Sequence, residues 1–180
     1  EDVLEYFQNP KAKLPENAML LTFDDGYKDH YQFVFPYLQQ KKMQGSFFMP
    51  AMILNEGRTL DANKLHFILE KNDITLLVNQ VNGYVDELFH KGEIHQSKEE
   101  LYKKLASKSR WDDKDTMYVK RLLQNELPIE KRFEIVDELF RQSVKMDEET
   151  FTHELYMNLE QMKEMKEEEL YVGFPKEEIQ

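Results

Sequence analysis

Apolar positions change their spacing along this chain: up to about residue 50 they come in short blocks, and from Asp61 onward they recur at intervals of three and four. Ala18 to Phe23 carries no charge and ends on strand-forming residues, which predicts a buried strand. Tyr31 to Met43 predicts a helix with Phe33, Val34, Tyr37 and Leu38 on one face and Pro36 in its first turn or at a kink. Gln44-Gly45 ends that helix, and Ser46 to Met49 predicts a second strand. A strand, helix and strand of this length, with no hairpin turn between the strands, predict parallel pairing. Ahead of them, Val3, Leu4 and Phe7 at helical spacing before Asn9-Pro10 predict a short scaffolding helix over Glu1 to Phe7.

The second regime predicts helices, with start signals at Asp61, Asp73, Ser97, Asp113 and Asp147 and no strand pattern between them. Ile74, Leu77, Val78, Val81, Tyr84, Val85 and Leu88 form a stripe that needs a partner surface, although Gly83 lies inside it. Ser97 with Glu100, and Asn158 with Gln161, read as capping boxes. Met117, Arg121 and Leu122 predict a helix that ends before Pro128, and Pro128 suits the first turn of the next. On that next helix Ile129, Phe133, Val136 and Phe140 make the buried stripe, while Glu130, Lys131, Glu134, Asp137 and Glu138 make a solvated face. Leu159, Met162 and Met165 give the last helix an apolar side before the strand-like Leu170-Tyr171-Val172. Met43, Met49, Met52, Met157, Met162 and Met165 read as gap-filling core residues.

Composition narrows the class. A length of 180 residues, 41% hydrophobic and 33% charged, suits one globular domain. A net charge of -11 argues against a nucleic-acid partner. Without cysteine, any metal must be held by Asp, Glu or His. No apolar run approaches the roughly 18 residues of a membrane span, which favours a cytoplasmic location, although a start at Glu1 leaves room for a removed signal.

Candidate chemistry concentrates at Asp24 and Asp25, which end the first predicted strand just before Gly26. Sheets with parallel strands place their sites at that end. Two neighbouring carboxylates stay ionised together only when a cation or several donors compensate them. A divalent metal would do so, with one carboxylate as ligand and the other as general base toward a water. The same residues also make an ordinary Asp-Gly turn. Among the histidines, His90 and His95 stand five apart, off a shared helical face, and His66 and His153 stand alone. His30, five residues after Asp25, reads as a structural residue at a helix start. Trp111 beside Arg110 could stack on a sugar, but reads first as a packing anchor.

Leu21-Thr22-Phe23-Asp24-Asp25-Gly26-Tyr27, followed by Phe47-Phe48-Met49-Pro50, resembles the start of the polysaccharide deacetylase family, the NodB-like carbohydrate esterases. Ile53 to Leu69 resembles longer bacterial members with an insertion. The resemblance implies an α/β fold: a NodB-like distorted (β/α) barrel, incomplete in this chain. Residues 1–60 and 147–180 would supply parts of the barrel, and residues 61–146 a mainly α-helical insertion that shapes access to the sugar or joins copies into a homo-oligomer. It also implies a metal-dependent hydrolase, with zinc or another divalent ion, that removes acetyl groups from a sugar of a bacterial polysaccharide or its precursor. Asp24 would be the catalytic base and Asp25 a metal ligand. Family members complete the metal site with a His-x-x-x-His pair after the strand that corresponds to Leu170-Tyr171-Val172. Here Val172-Gly173 runs into Phe174-Pro175-Lys176, and the family's later motifs are also missing, so tight zinc binding is not expected of the chain as written. The alternative is a non-catalytic carbohydrate-binding or helical interaction protein on the same scaffold. Magnesium-dependent phosphoryl chemistry on the Asp pair ranks last, since no phosphate-binding loop accompanies it.

Overall fold

A computed structural model describes residues 2–9, 11–14, 16–168 and 170–173. In chain order its elements begin with α1 (Asp2–Gln8), β1 (Thr22–Phe23), α2 (Phe35–Lys41), β2 (Ser46–Phe48) and α3 (Ala51–Glu56). They continue with α4 (Asp61–Lys71), α5 (Ile74–His90), α6 (Lys98–Leu105), α7 (Lys114–Arg121), α8 (Ile129–Val144) and α9 (Glu148–Leu155), and finish with α10 (Leu159–Glu167) and β3 (Tyr171–Gly173). Two units form, residues 1–56 with 153–180, and residues 57–152.

The first unit is built on a three-stranded parallel sheet of order β1-β2-β3. Thr22 pairs with Ser46 and Phe23 with Phe47, and Phe47 in turn pairs with Val172. The parallel pairing expected of the first two strands is therefore present. The first strand itself is shorter than its apolar run. Before Leu21, whose carbonyl still accepts from the Ser46 amide at 2.9 Å, residues 18–20 have no strand partner, because the register that sets Thr22 beside Ser46 puts them opposite the turn that follows α2. Met19 and Leu20 are consequently exposed at 83% and 56%, not buried as the sequence predicts. The central strand buries Phe47 almost completely, and Met49 just past its end is equally inaccessible.

The crossover helix also differs from its predicted face. A π turn, His30–Val34, precedes α2, and the Phe35 amide bonds five residues back to the His30 carbonyl. Pro36 explains it: proline has no N–H to give, and its ring would collide with the carbonyl four residues earlier in an α-helix. The wider turn shifts the inward face, so Phe35 and Leu38 are buried while Phe33 and Tyr37 stand exposed. The same device recurs before Pro128, where a π turn over Leu122–Glu126 is closed by the Leu127 amide on the Leu122 carbonyl at 3.2 Å.

The second unit contains helices only. Asp73, Ser97 and Asp113 cap α5, α6 and α7, and Asp147 accepts from the Thr150 amide at the start of α9. Asp61 instead lies in the first turn of α4, whose cap is Leu60. Leu77, Val81, Val85 and Leu88 bury the predicted α5 stripe, and exposed Gly83 falls outside it. On α8 the buried set is Ile135, Val136, Leu139 and Phe140, whereas Ile129 and Phe133 lie at an exposed edge. α4 packs against α8, and this contact corrects the reading of the α8 charges. Lys64 of α4 is wholly buried, its Nζ 2.5 Å from Asp137 and 2.7 Å from Glu148. Asp137 thus pairs with a buried cation, while its side chain stays 43% exposed at the edge of the solvated face. Burial pushes the Asp61 carboxyl upward, and the nearby Lys64 partly offsets that.

Candidate functional site

β1 delivers the Asp pair to the end of the sheet. Asp24 follows the last strand residue and is exposed; Asp25 is half-buried. Asp25 and Gly26 both adopt a left-handed φ of 69°. Such a φ is common for glycine and infrequent for a residue with a side chain, so Asp25 holds strained backbone at the turn. Gly26 is required for a second reason: a Cβ there would come within 2.6 Å of the Met49 Cγ. The turn is tied down on its far side, where the Gly26 carbonyl accepts from the Met157 amide at 2.9 Å. Tyr27 bridges Tyr156 in antiparallel fashion, and their rings stack with centroids 5.8 Å apart. Asn158 and Gln161 then form the predicted capping box of α10, which packs on β3. On that helix Met162 and Met165 are buried as expected, while Leu159 is exposed.

His30 completes the neighbourhood, and sequence reasoning undervalues it. Its ring lies against Phe23, Tyr27 and Phe47, at centroid distances of 5.5, 5.6 and 5.9 Å. Its Nδ1 is buried without a hydrogen-bond partner. Burial pushes the imidazole below its ordinary pKa, while the carboxylates of Asp29, Asp25 and Asp24 pull it the other way. The signal available in the sequence is the three-residue step from Tyr27 to His30, which puts both rings on one side of the turn after the Asp pair.

The remaining histidines stay apart from these carboxylates. His90 bonds through Nδ1 to the carbonyl of Asp86 on its own helix, and His66, His95 and His153 are exposed. Among the described residues no group of three or more His, Cys, Asp or Glu side chains gathers as a metal-binding set. Asp24 and Asp25 therefore do not by themselves fit the three-protein-ligand pattern of catalytic zinc. The stretch after Gly173, where the missing His-x-x-x-His pair is expected, lies outside the described residues. Trp111 is not a packing anchor: it is 82% exposed.

Adjacent parallel strands joined by a helical crossover, with a carboxylate pair just past the strand end, define an α/β arrangement. A model of the family described as Polysaccharide deacetylase matches residues 11–171, and the chain belongs to that family. No curated protein and no solved structure matches the chain. Deacetylase-type chemistry on carbohydrate is the family's activity, and its members generally depend on a divalent metal.

Proposed function

We propose that this chain belongs to a hydrolase that removes acetyl groups from a sugar of a bacterial polysaccharide or its precursor, with Asp24 as general base. The observation that carries the reading is the position of the Thr22-Phe23-Asp24-Asp25-Gly26 segment: it ends an edge strand, with the first carboxylate exposed and the second turned through a strained residue. A water attacking the acetyl carbonyl loses a proton to Asp24, the carbon–nitrogen or carbon–oxygen bond breaks, and that proton passes to the departing nitrogen or oxygen, releasing acetate and the sugar amine or hydroxyl. Asp25 is the carboxylate we assign to a metal. The described residues give it no imidazole partners. The three parallel strands are read as a segment of the family's barrel, and residues 61–146 as its helical insertion.

The test is mass spectrometry of N-acetylated and O-acetylated oligosaccharides after incubation with the full chain and added divalent metal. Loss of acetyl groups from one class supports the reading and names the linkage. Oligosaccharides that bind and return unchanged would replace it with the non-catalytic carbohydrate-binding alternative.

A further inference from the structure

Where α4, α8 and the π turn ahead of Pro128 meet, the second unit holds a cavity of about 320 Å³. Leu65 of α4, Leu123 of the turn and Val136 of α8 line it with side chains that are almost wholly buried. Ile129 and Phe133 line it too, yet they stand 53% and 41% exposed. Both belong to the apolar stripe of α8, so two residues patterned for burial border an open space. An occupant with an apolar body would cover them.

Two charged side chains share this cavity without meeting. Arg132 lines it and forms no ion pair or side-chain hydrogen bond among the described residues, and its Nε is buried without an acceptor. No carboxylate stands three or four residues from it along α8, and Glu126 of the adjoining turn is held by Lys104 at 2.6 Å. Asp61, in the first turn of α4, also lines the cavity. Its one ion pair among the described residues is with Lys64 Nζ at 3.9 Å, and that cation is bound more closely by Asp137 and Glu148. Burial raises the Asp61 carboxyl, as expected where few donors reach it.

We propose that this cavity binds a free apolar α-amino acid. The carboxylate of the ligand meets the Arg132 guanidinium, its ammonium meets the Asp61 carboxylate, and its side chain lies on Leu65, Leu123 and Val136 under the cover of Ile129 and Phe133. The two opposite charges in the lining decide between ligands. A simple apolar carboxylate leaves Asp61 facing hydrocarbon, an apolar amine does the same to Arg132, and a monosaccharide presses hydroxyls onto three aliphatic side chains. The volume lies at the small end of the range for ligand pockets, about 300–1,000 Å³, which suits a single amino acid better than a lipid chain. This is a binding function of the second unit, separate from acetyl removal at Asp24.

Calorimetric titration of the full chain with L-leucine and with L-phenylalanine tests it. At least one should give saturable binding at submillimolar concentration. The matching acid without the amino group, isocaproate or hydrocinnamate, and the matching amine without the carboxylate, isoamylamine or phenethylamine, should each bind about tenfold to a hundredfold more weakly. The variants should sort by charge: D61N should bind the amino acid and the plain acid alike, and R132Q should bind the amino acid and the amine alike. The analogue series on the unaltered chain decides the point even if R132Q fails to fold. No saturable heat with either amino acid, equal affinity for the plain acid or the amine, or undiminished affinity in folded D61N or R132Q would overturn the proposal. Amino-acid binding by a chain that releases no acetate would defeat the catalytic reading and leave this one standing.

Discussion

Single residues at the end of β1 carry the strongest structural demands in the first unit. Gly26 combines a left-handed φ with a contact that leaves no room for a Cβ, so Gly26→Ala should lower stability by about 1–3 kcal/mol, measured as a shift in the urea midpoint. Equal midpoints would mean that the turn relaxes around the methyl group. His30 makes a pH-dependent contribution of defined sign. Its imidazole pKa is lowered in the folded chain, so between the folded and unfolded values the unfolded chain binds more protons. Stability should therefore fall as pH drops through the ordinary histidine range near about 6.5. Comparing urea midpoints at pH 7 and pH 5 should show this loss, and His30→Phe should reduce it; an identical pH dependence in the variant would contradict the assignment. The Asp pair was legible in the sequence because adjacent carboxylates after an apolar run are unusual. The environment of His30 was not, since it depends on Phe47 arriving from the neighbouring strand and on a π turn.

Elements were legible where the signal is local. Asp73, Ser97, Asp113 and Asn158 all cap the helices that their spacing predicts, because a cap bonds to amides two or three residues away. Ser97→Ala removes one such bond and should destabilise the second unit by about 1 kcal/mol, checked by thermal or urea unfolding. Buried faces were less legible. On α8 Val136 and Phe140 are buried as predicted while Ile129 and Phe133 lie at an exposed edge, and for α2 the predicted stripe is displaced by the π turn beside Pro36. An i, i+4 count carried through a turn with five-residue bonding loses its phase. Ala18 to Leu20 failed for a different reason: an apolar run marks a strand only where a neighbouring strand is there to pair with it.

Across the whole molecule, the two units have different means of holding together. The first relies on the parallel sheet and the ties from the Asp–Gly turn to residues 156 and 157. The second has a wholly buried lysine bound to carboxylates from α8 and α9, which no pattern in the sequence announces. Lys64→Met removes the cation shared by Asp137 and Glu148 and leaves Asp137 with Arg58 at 3.4 Å; both carboxylates are partly exposed, so a loss of about 1–3 kcal/mol is expected. Asp61→Asn should act in the opposite direction. Its carboxyl pKa is raised in the folded chain, so ionisation works against folding as pH rises, and the neutral amide should keep or increase the urea midpoint at pH 7.

The central claim is that the exposed carboxylate at the end of β1 is the base of a deacetylation. The most direct measurement is the rate of acetate release from an acetylated oligosaccharide by Asp24→Asn relative to the unaltered chain. Because Asp24 is exposed, the variant should unfold at the same denaturant midpoint. Loss of a positioned base predicts a rate lower by about 10²–10⁴-fold. Full activity in the correctly folded variant would contradict the claim.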